Sequence, residues 1–500
     1  MQQDKLFYNG YFWQGENKWA GAVLVGENGA IQEVFQNAEE AEGKMGGGVE
    51  KVDMQGQWVL PVFEDAHNHP TRFARLFFEI DFRGQNISWE EARELIRKQV
   101  ARTPIGNWVV CHGWNEERWQ SLRSEDLDDL SQEHGILLID VSEHGGLLNK
   151  QGRFLLEQKG LRVPGEFVED ELFEEVCRHT ALSKDAYKKG IQKFHEKLLA
   201  LGVGAVHDMD VSMPEELQAY EELLQEKKLV LPSALYLNPR LLGHTEQISR
   251  LLNYNDTFKV CGVKIFLDGA IGTRTAALSR PYEDAATSGM LRMKEKEVAA
   301  IAKKAAVLGL RHIAMHCIGD RAIDAAVAIQ TKVQKNYPDM LWRYEHFEMP
   351  SKGAIATIAE NNGVVSVQPN FSWDVENYQG RLGKRTEMIN PLQWIEESGA
   401  TMVFGSDDMP SGPLEGIAWA TQKALFSHQK VSAASAVRAY TETPARIVGA
   451  IRGKVVSGHE ANFVVFRKNP LEAKNELENL AVEGVWLKGL IQDNQEEYYD

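Results

Sequence analysis

Short apolar runs alternate along the middle of this chain with segments whose apolar residues recur at about every 3.6 positions. The runs are WVLPVFED, VGAVHDM, LVLPSALYL, CGVKIFL, RHIAMHC, WRYEHF, GVVSVQP and TMVFGSD. Each is short, β-branched or aromatic in character, and bounded by turn residues, which predicts a strand. The segments between them, such as EKEVAAIAKKAAVLG and SKGAIATIAENN, carry helical spacing and end near a Gly or Asn. Strands alternating with helices predict repeated βα units around a parallel sheet. Eight of them predict an α/β fold, a (β/α)8 TIM-like barrel with its site at the C-terminal strand ends.

The two ends read differently. Residues 1–58 hold short strands with Gly and Asn turns (KLFYNGYFW, GAVLVGENG, AIQEVFQ, KVDMQGQWVL), and residues 447–500 resume that pattern in GKVVSGHEANFVVF and VEGVWLKGLIQD. A small β-sandwich domain built from both termini is expected, flanking a barrel over 59–446. The gap between the first two barrel strands is too long for one helix, so an insertion after barrel strand 1 is expected at about 80–195.

Composition changes this picture little. The 500 residues are 43% hydrophobic and 25% charged, ordinary for a globular protein. A formal net charge of −17 argues against nucleic acid or an anionic membrane as partner, since both recruit basic patches. No stretch approaches a transmembrane helix in length, and MQQDKLFYNG has no basic region followed by a long apolar one, so no signal peptide is expected. Cys111, Cys177, Cys261 and Cys317 lack CxxC spacing and read as reduced residues of a cytoplasmic protein. The expected partner is a small-molecule substrate. A homo-oligomer is left open.

Candidate chemistry gathers where the barrel reading puts a site. His67 and His69, two apart in FEDAHNHP, face the same way if the strand is regular, as a chelating pair needs. Lys264, His316, His346 and Asp407 stand at the ends of four other predicted strands. Imidazoles and a carboxylate are what zinc prefers in catalytic sites, with a position left open for water. A divalent metal lowers the pKa of water from 15.7 to about 7, supplying the nucleophile that hydrolysis of an amide-like C–N bond needs. His67 with His69 would hold one metal and His316 with His346 a second. Asp407 is the candidate general base, moving a proton from the attacking water to the leaving amine. Its turn-like setting in SerAspAsp also fits a plain turn residue. Asp408 is expected to face away.

Longer motifs carry a resemblance: GWNEERW, DGAIGTRTAAL, HCIGDRAID, YEHFEMP, GSDDMPSGP and GKVVSGHEANFVVF. By these the chain resembles the amidohydrolase superfamily, specifically the amidohydrolase family 3 branch that includes N-substituted formamide deformylases. The resemblance implies a metal-dependent hydrolase of non-peptide C–N bonds in a small amide, formamide or cyclic amide. It also implies that Lys264 reacts with CO2 to give a carboxylated lysine bridging two zinc ions. Otherwise Lys264 pairs with an acid such as Asp268 or reaches solvent, and a single-metal site is the better model. His144 and Asn149 match a family segment that contributes to the cleft from the insertion. Arg274 could hold a substrate carbonyl or carboxylate, or be an ion-paired loop arginine. Trp114, Trp119, Phe371 and Trp373 could line a pocket or pack the insertion. Val62 and Glu64 depart from the family's first-strand motif, and Glu64 is expected to face the helical layer, where a carboxylate must be paired. Two rival functions stay open: a mononuclear deaminase of a heterocyclic amine, and a catalytically silent binding or regulatory protein on the same fold.

Overall fold

The computed structural model describes residues 3–43, 48–114, 119, 122–140, 145–252, 254–255, 257–409, 412–474 and 476–492. The chain divides into two compact units. One comprises Met1–His69, His195–Ser212 and Leu229–Asp500, the other Pro70–Phe194 and Met213–Lys228.

The first unit contains the barrel. Its strands are β1 (Phe63–Asn68), β2 (Val203–Val211), β3 (Ser233–Leu237), β4 (Phe258–Phe266), β5 (His312–Cys317), β6 (Leu341–His346), β7 (Val364–Val367) and β8 (Thr401–Phe404). They pair in sequence order, each neighbouring pair parallel. The β3 strand is buried at every residue, as parallel strands covered on both faces must be, which is why they read as continuous apolar runs. Ala66, Met209, Ala234, Tyr236, Cys261, Ala314, Val364 and Val403 form one core cluster, drawn from seven of the eight strands. The last strand meets the first through the segment after it: the Asp407 N–H donates to the His67 carbonyl at 2.8 Å. Gly405 makes this approach possible, because a Cβ there would lie 2.4 Å from the His67 nitrogen.

All eight predicted strands appear where the apolar runs placed them. The first needs correcting, since WVLPVFED is two strands in two sheets. Trp58–Pro61 pairs with Phe463–Phe466 in a terminal sheet, and the barrel strand starts only at Phe63. Pro61 ends the first piece because it has no N–H to continue a ladder. The helices follow their apolar spacing. Glu295–Val307 buries Val298, Ala302 and Ala305, and Lys294 N–H is taken by the Glu297 carboxylate. Lys352–Glu360 buries Ala354, Ile355 and Ile358 and starts on Ser351, whose hydroxyl accepts from the Ala354 N–H.

The same unit holds a sheet built from both ends of the chain. Lys5–Trp13, Trp19–Val25, Ile31–Phe35, Glu50–Asp53 and Trp58–Pro61 join Phe463–Phe466, Gly484–Leu487 and Leu490–Gln492. Phe7 sits edge-on to Phe463 and Trp486, 5.6 and 4.9 Å between ring centres. Burying each such ring is worth about 1.5–3 kcal/mol.

The second unit carries a five-stranded sheet, ordered Phe167–Glu169, Gly145–Leu148, Gly135–Asp140, Trp108–Trp114, Ile80–Asp81. Phe82, Cys111, Trp114 and Trp119 are buried in its core. All four cysteines are free. Among the described residues no helix is long and apolar enough to cross a membrane.

Candidate metal centre

Three histidines at the C-terminal ends of β1 and β6 are turned by partners on the same ring nitrogen. His67 Nδ1 lies 2.7 Å from a Glu345 carboxylate oxygen, His346 Nδ1 lies 2.8 Å from Gln368 Oε1, and His69 Nδ1 meets the Met209 carbonyl. A carboxylate, an amide oxygen and a carbonyl only accept. Each Nδ1 therefore carries a proton, and burial keeps His67 and His346 neutral, so each of those two Nε2 atoms keeps a lone pair. The ring centres are 5.3 Å apart for His67 and His69 and 4.7 Å for His67 and His346. Burial, with Lys264 beside it, lowers the His67 pKa to about 3, so the ring stays neutral.

Asp407 completes the cluster. One oxygen lies 3.1 Å from His69 Nε2, and ligand atoms of Asp407, His67 and His346 all fall within 4.8 Å of one another. Burial alone would raise its pKa, but the hydrogen bond and charge of His69, with His67 and His346, hold it well below the usual carboxylate range. At that distance either a proton or a cation lies between His69 Nε2 and the ionised oxygen. This donor set fits a divalent metal: lone pairs and a carboxylate converging, with each ring fixed from behind.

Lys264, fully buried on β4, brings its Nζ to 3.4 Å from His67 Nε2. Burial lowers its pKa against the raising effect of Glu345, Asp407 and Asp210. The alternative of a pair with Asp268 is not what the structure places there. Asp268 accepts from the backbone N–H groups of Ala277, Ile318 and Gly319. His316 packs on His346 at 4.4 Å between ring centres, but its Nε2 is 3.1 Å from the Gly269 carbonyl. The Nε2 lone pairs thus gather His67 and His346 with Asp407, instead of the two separate pairs the sequence suggested.

Asp407 and Asp408 lie beyond β8, in a turn, with φ of +53° and +52°. Turn geometry, not strand alternation, separates them, and Asp408 faces Lys197 at 3.3 Å. The remaining candidates lie elsewhere. Arg274 is held at a loop by both oxygens of Asp284, at 3.0 and 2.6 Å. Asn149 is wholly buried and caps the helix after it, accepting from the Gly152 and Ile136 N–H groups, a structural task in place of a cleft contact. Trp114 packs edge-on to Phe167 in the core of the second unit. Trp373 is 40% exposed, whereas Phe371, two residues earlier, stacks on His346 with the planes 3° apart. His144 lies outside the described residues.

The structure adds residues that sequence reading missed. Arg343 and Glu345, two apart on β6, are fully buried and joined through Nε at 2.8 Å. Arg343 also reaches the His207 Nδ1 at 3.0 Å, Tyr236 Oη at 2.7 Å and the Ala66 carbonyl at 2.8 Å. The signal was a charged pair inside the apolar run WRYEHF. Glu64 needs a correction: it faces this network and not the helical layer. His207 Nε2 lies 3.0 Å from its carboxylate, and Arg452 bonds both oxygens at 2.9 and 2.8 Å. The β1–β2 register slips at two places, which breaks the strict alternation assumed for Glu64.

A parallel barrel with a histidine–carboxylate cluster at its strand ends defines the class of metal-dependent hydrolases. Residues 50–491 match the amidohydrolase family model, and the chain belongs to that family. It is 25% identical over 524 residues to the N-substituted formamide deformylase of Arthrobacter pascens, covering 95% of each chain. Among solved structures it is similar to an uncharacterized metal-dependent hydrolase from Pyrococcus furiosus (26% identity, TM-score 0.81, 94% of this chain and 100% of that one). Another from Pyrococcus horikoshii OT3 is 25% identical with a TM-score of 0.82, over 94% and 99%.

Proposed function

We propose that this amidohydrolase cleaves a non-peptide C–N bond in a small amide, N-substituted formamide or cyclic amide, with Asp407 as general base. The convergence of His67, His346 and Asp407 ligand atoms within 4.8 Å carries this reading. His67, His69, His346 and Asp407 would hold a divalent metal, zinc by ligand preference, which supplies Lewis acidity and lowers the pKa of water. A second zinc would use His316, with Lys264 as a carbamate bridge. Its support is the burial of Lys264, 3.4 Å from His67 Nε2. Asp407, held ionised, accepts a proton from the attacking water. As the C–N bond breaks, it returns that proton to the leaving nitrogen, giving a carboxylic acid and an amine. Phe371, stacked on His346, offers an apolar wall to the substrate's carbon skeleton.

A second reading, a mononuclear deaminase, draws support from the same compactness, since His67, His346 and Asp407 make one group rather than two. Elemental analysis of protein purified without chelator separates them: about two ions per chain are expected for the first reading and one for the second. No bound transition metal, and none acquired on reconstitution, would sink both. Zinc-loaded protein is then assayed on N-formyl, N-acyl, cyclic amide and aminoheterocycle substrates, and turnover confined to aminoheterocycles would overturn the amide reading. The partner expected is that small molecule, in a cytoplasmic setting.

A further inference from the structure

One line of buried polar groups runs from the terminal segment after the barrel to the metal centre, and its donor and acceptor senses can be read in only one way. An arginine has donors and no acceptor. Arg452 therefore donates to both Glu64 oxygens. Arg343 Nη1 donates to His207 Nδ1, which leaves the His207 proton on Nε2, donated to Glu64. The second Nη1 hydrogen goes to Tyr236 Oη, so the Tyr236 hydrogen is free to pass to His312 Nδ1, 2.8 Å away. Arg343 Nη2 donates to the Ala66 carbonyl and to Glu345 Oε2, and Nε donates to Glu345 Oε1. Every N–H of Arg343 has an acceptor. The last link is Glu345 Oε2, taking the proton of His67 Nδ1 at 2.7 Å.

Stability alone is a poor reason for this arrangement. Arg343, Glu345 and His207 are 0% exposed, Glu64 2% and Arg452 7%. Buried ion pairs often contribute less than apolar residues of the same volume, because desolvation offsets their attraction. The line ends, however, on the one proton that decides whether His67 presents a lone pair or an N–H to the cluster. We propose that Arg452, Glu64, His207, Arg343 and Glu345 form a positioning relay that fixes the His67 tautomer and ring angle, with Glu345 the decisive member. This rests on the metal-centre reading for its purpose but not for its geometry.

Glu345→Gln keeps the shape and tests the sense of the bond. Arg343 Nε demands an acceptor, so the glutamine oxygen turns to it and the amide NH2 turns to His67 Nδ1. The proton then moves to His67 Nε2, the nitrogen facing Lys264. Two readouts apply. In zinc-free protein labelled with 15N-histidine, the His67 resonances (identified by their loss in His67→Gln) should change Nδ1 from pyrrole-like to pyridine-like. Zinc affinity, measured by competition with a chelator, should fall about 10–100-fold, the cost typical of losing a partner behind a metal-binding histidine. Glu345→Asp, which keeps the acceptor, should leave Nδ1 pyrrole-like and recover part of the affinity. Arg452→Met breaks the far end, and it should weaken zinc binding in the same direction by less.

An unchanged tautomer with unchanged zinc affinity in Glu345→Gln overturns the proposal. If that variant does not fold, Arg452→Met decides it, with undiminished affinity as the overturning result. Wild-type protein that takes up no zinc defeats the hydrolase reading instead. The resonance measurement on zinc-free protein still decides the relay in that case.

Discussion

Replacing Arg452 by Met leaves the Glu64 carboxylate buried with only His207 as partner, and the cost can be worked out. Burial raises the Glu64 pKa, yet Arg452 and then His207 outweigh it and bring it from 4.5 to about 2. A depression of about 2.5 pH units, at 1.36 kcal/mol each, corresponds to about 3 kcal/mol of preference for the charged form in the fold. That agrees with the 3–5 kcal/mol typical of removing one partner from a buried pair. A carboxylate whose pKa is lowered on folding stabilises above its unfolded value and loses that stabilisation as pH falls through the folded one. The Glu64 depression is the net of burial, Arg452 and His207, so the cost of Arg452→Met at pH 7 is expected at about the 3–5 kcal/mol of a broken buried pair. The gap should begin to close below about pH 4.5 and be gone near pH 2. The assay is urea unfolding followed by tryptophan fluorescence and circular dichroism from pH 7 to pH 3. Wild type and variant are compared at equal denaturant, because a chain of two units need not unfold in one step. Adding Glu64→Gln to the variant removes the stranded charge and should restore part of the loss. A gap under about 1 kcal/mol at pH 7, or one that does not change with pH, would refute the reasoning.

Asp407→Asn should cut kcat by about 10²–10⁴-fold, the usual loss for a general base, while most of the metal stays bound. Asp408→Asn loosens a part-exposed pair with Lys197 and should change kcat little, with a stability cost of about 1 kcal/mol for that pair. Activity in both variants would show that another base is used. Lys264→Ala should lower zinc content and abolish turnover, with partial rescue by small carboxylates; full zinc occupancy without rescue would exclude a bridging carbamate. Trp114→Ala, which empties a core position of the second unit, should destabilise by about 3–5 kcal/mol. A Tm unchanged by that substitution would place Trp114 outside the core.

The barrel was legible because a parallel strand covered on both faces must be apolar throughout, and the eight runs stand out against helices of different period. Apolarity does not say which sheet a strand joins, so WVLPVFED hid a change of sheet at Pro61. The ends of the strands were legible for a related reason. Polar ligand types such as His67, Lys264, His346 and Asp407 interrupt apolar runs at the positions where a barrel keeps its chemistry. Loop residues fared worse. Arg274 is an arginine whatever it touches, and only the folded loop brings Asp284 to it.

The largest gap was the polar interior, and its cause is physical. Strand alternation assumes a regular ladder, but the β1–β2 register slips twice, so Glu64 could not be given a facing from parity alone. Nor can spacing reveal that Arg343 donates to acceptors from β1, β2, β3 and β6 at once. A buried charge is tolerable only when partners from several elements converge on it, and convergence is a property of the closed fold. Arg343 and Glu345 nevertheless left a trace. Two opposite charges at i and i+2 on a strand that must be buried cannot be solvated, so each has to find partners inside. On β6 that requirement calls for buried partners, and the closed fold supplies them to Arg343 from β1, β2 and β3 and to Glu345 from His67.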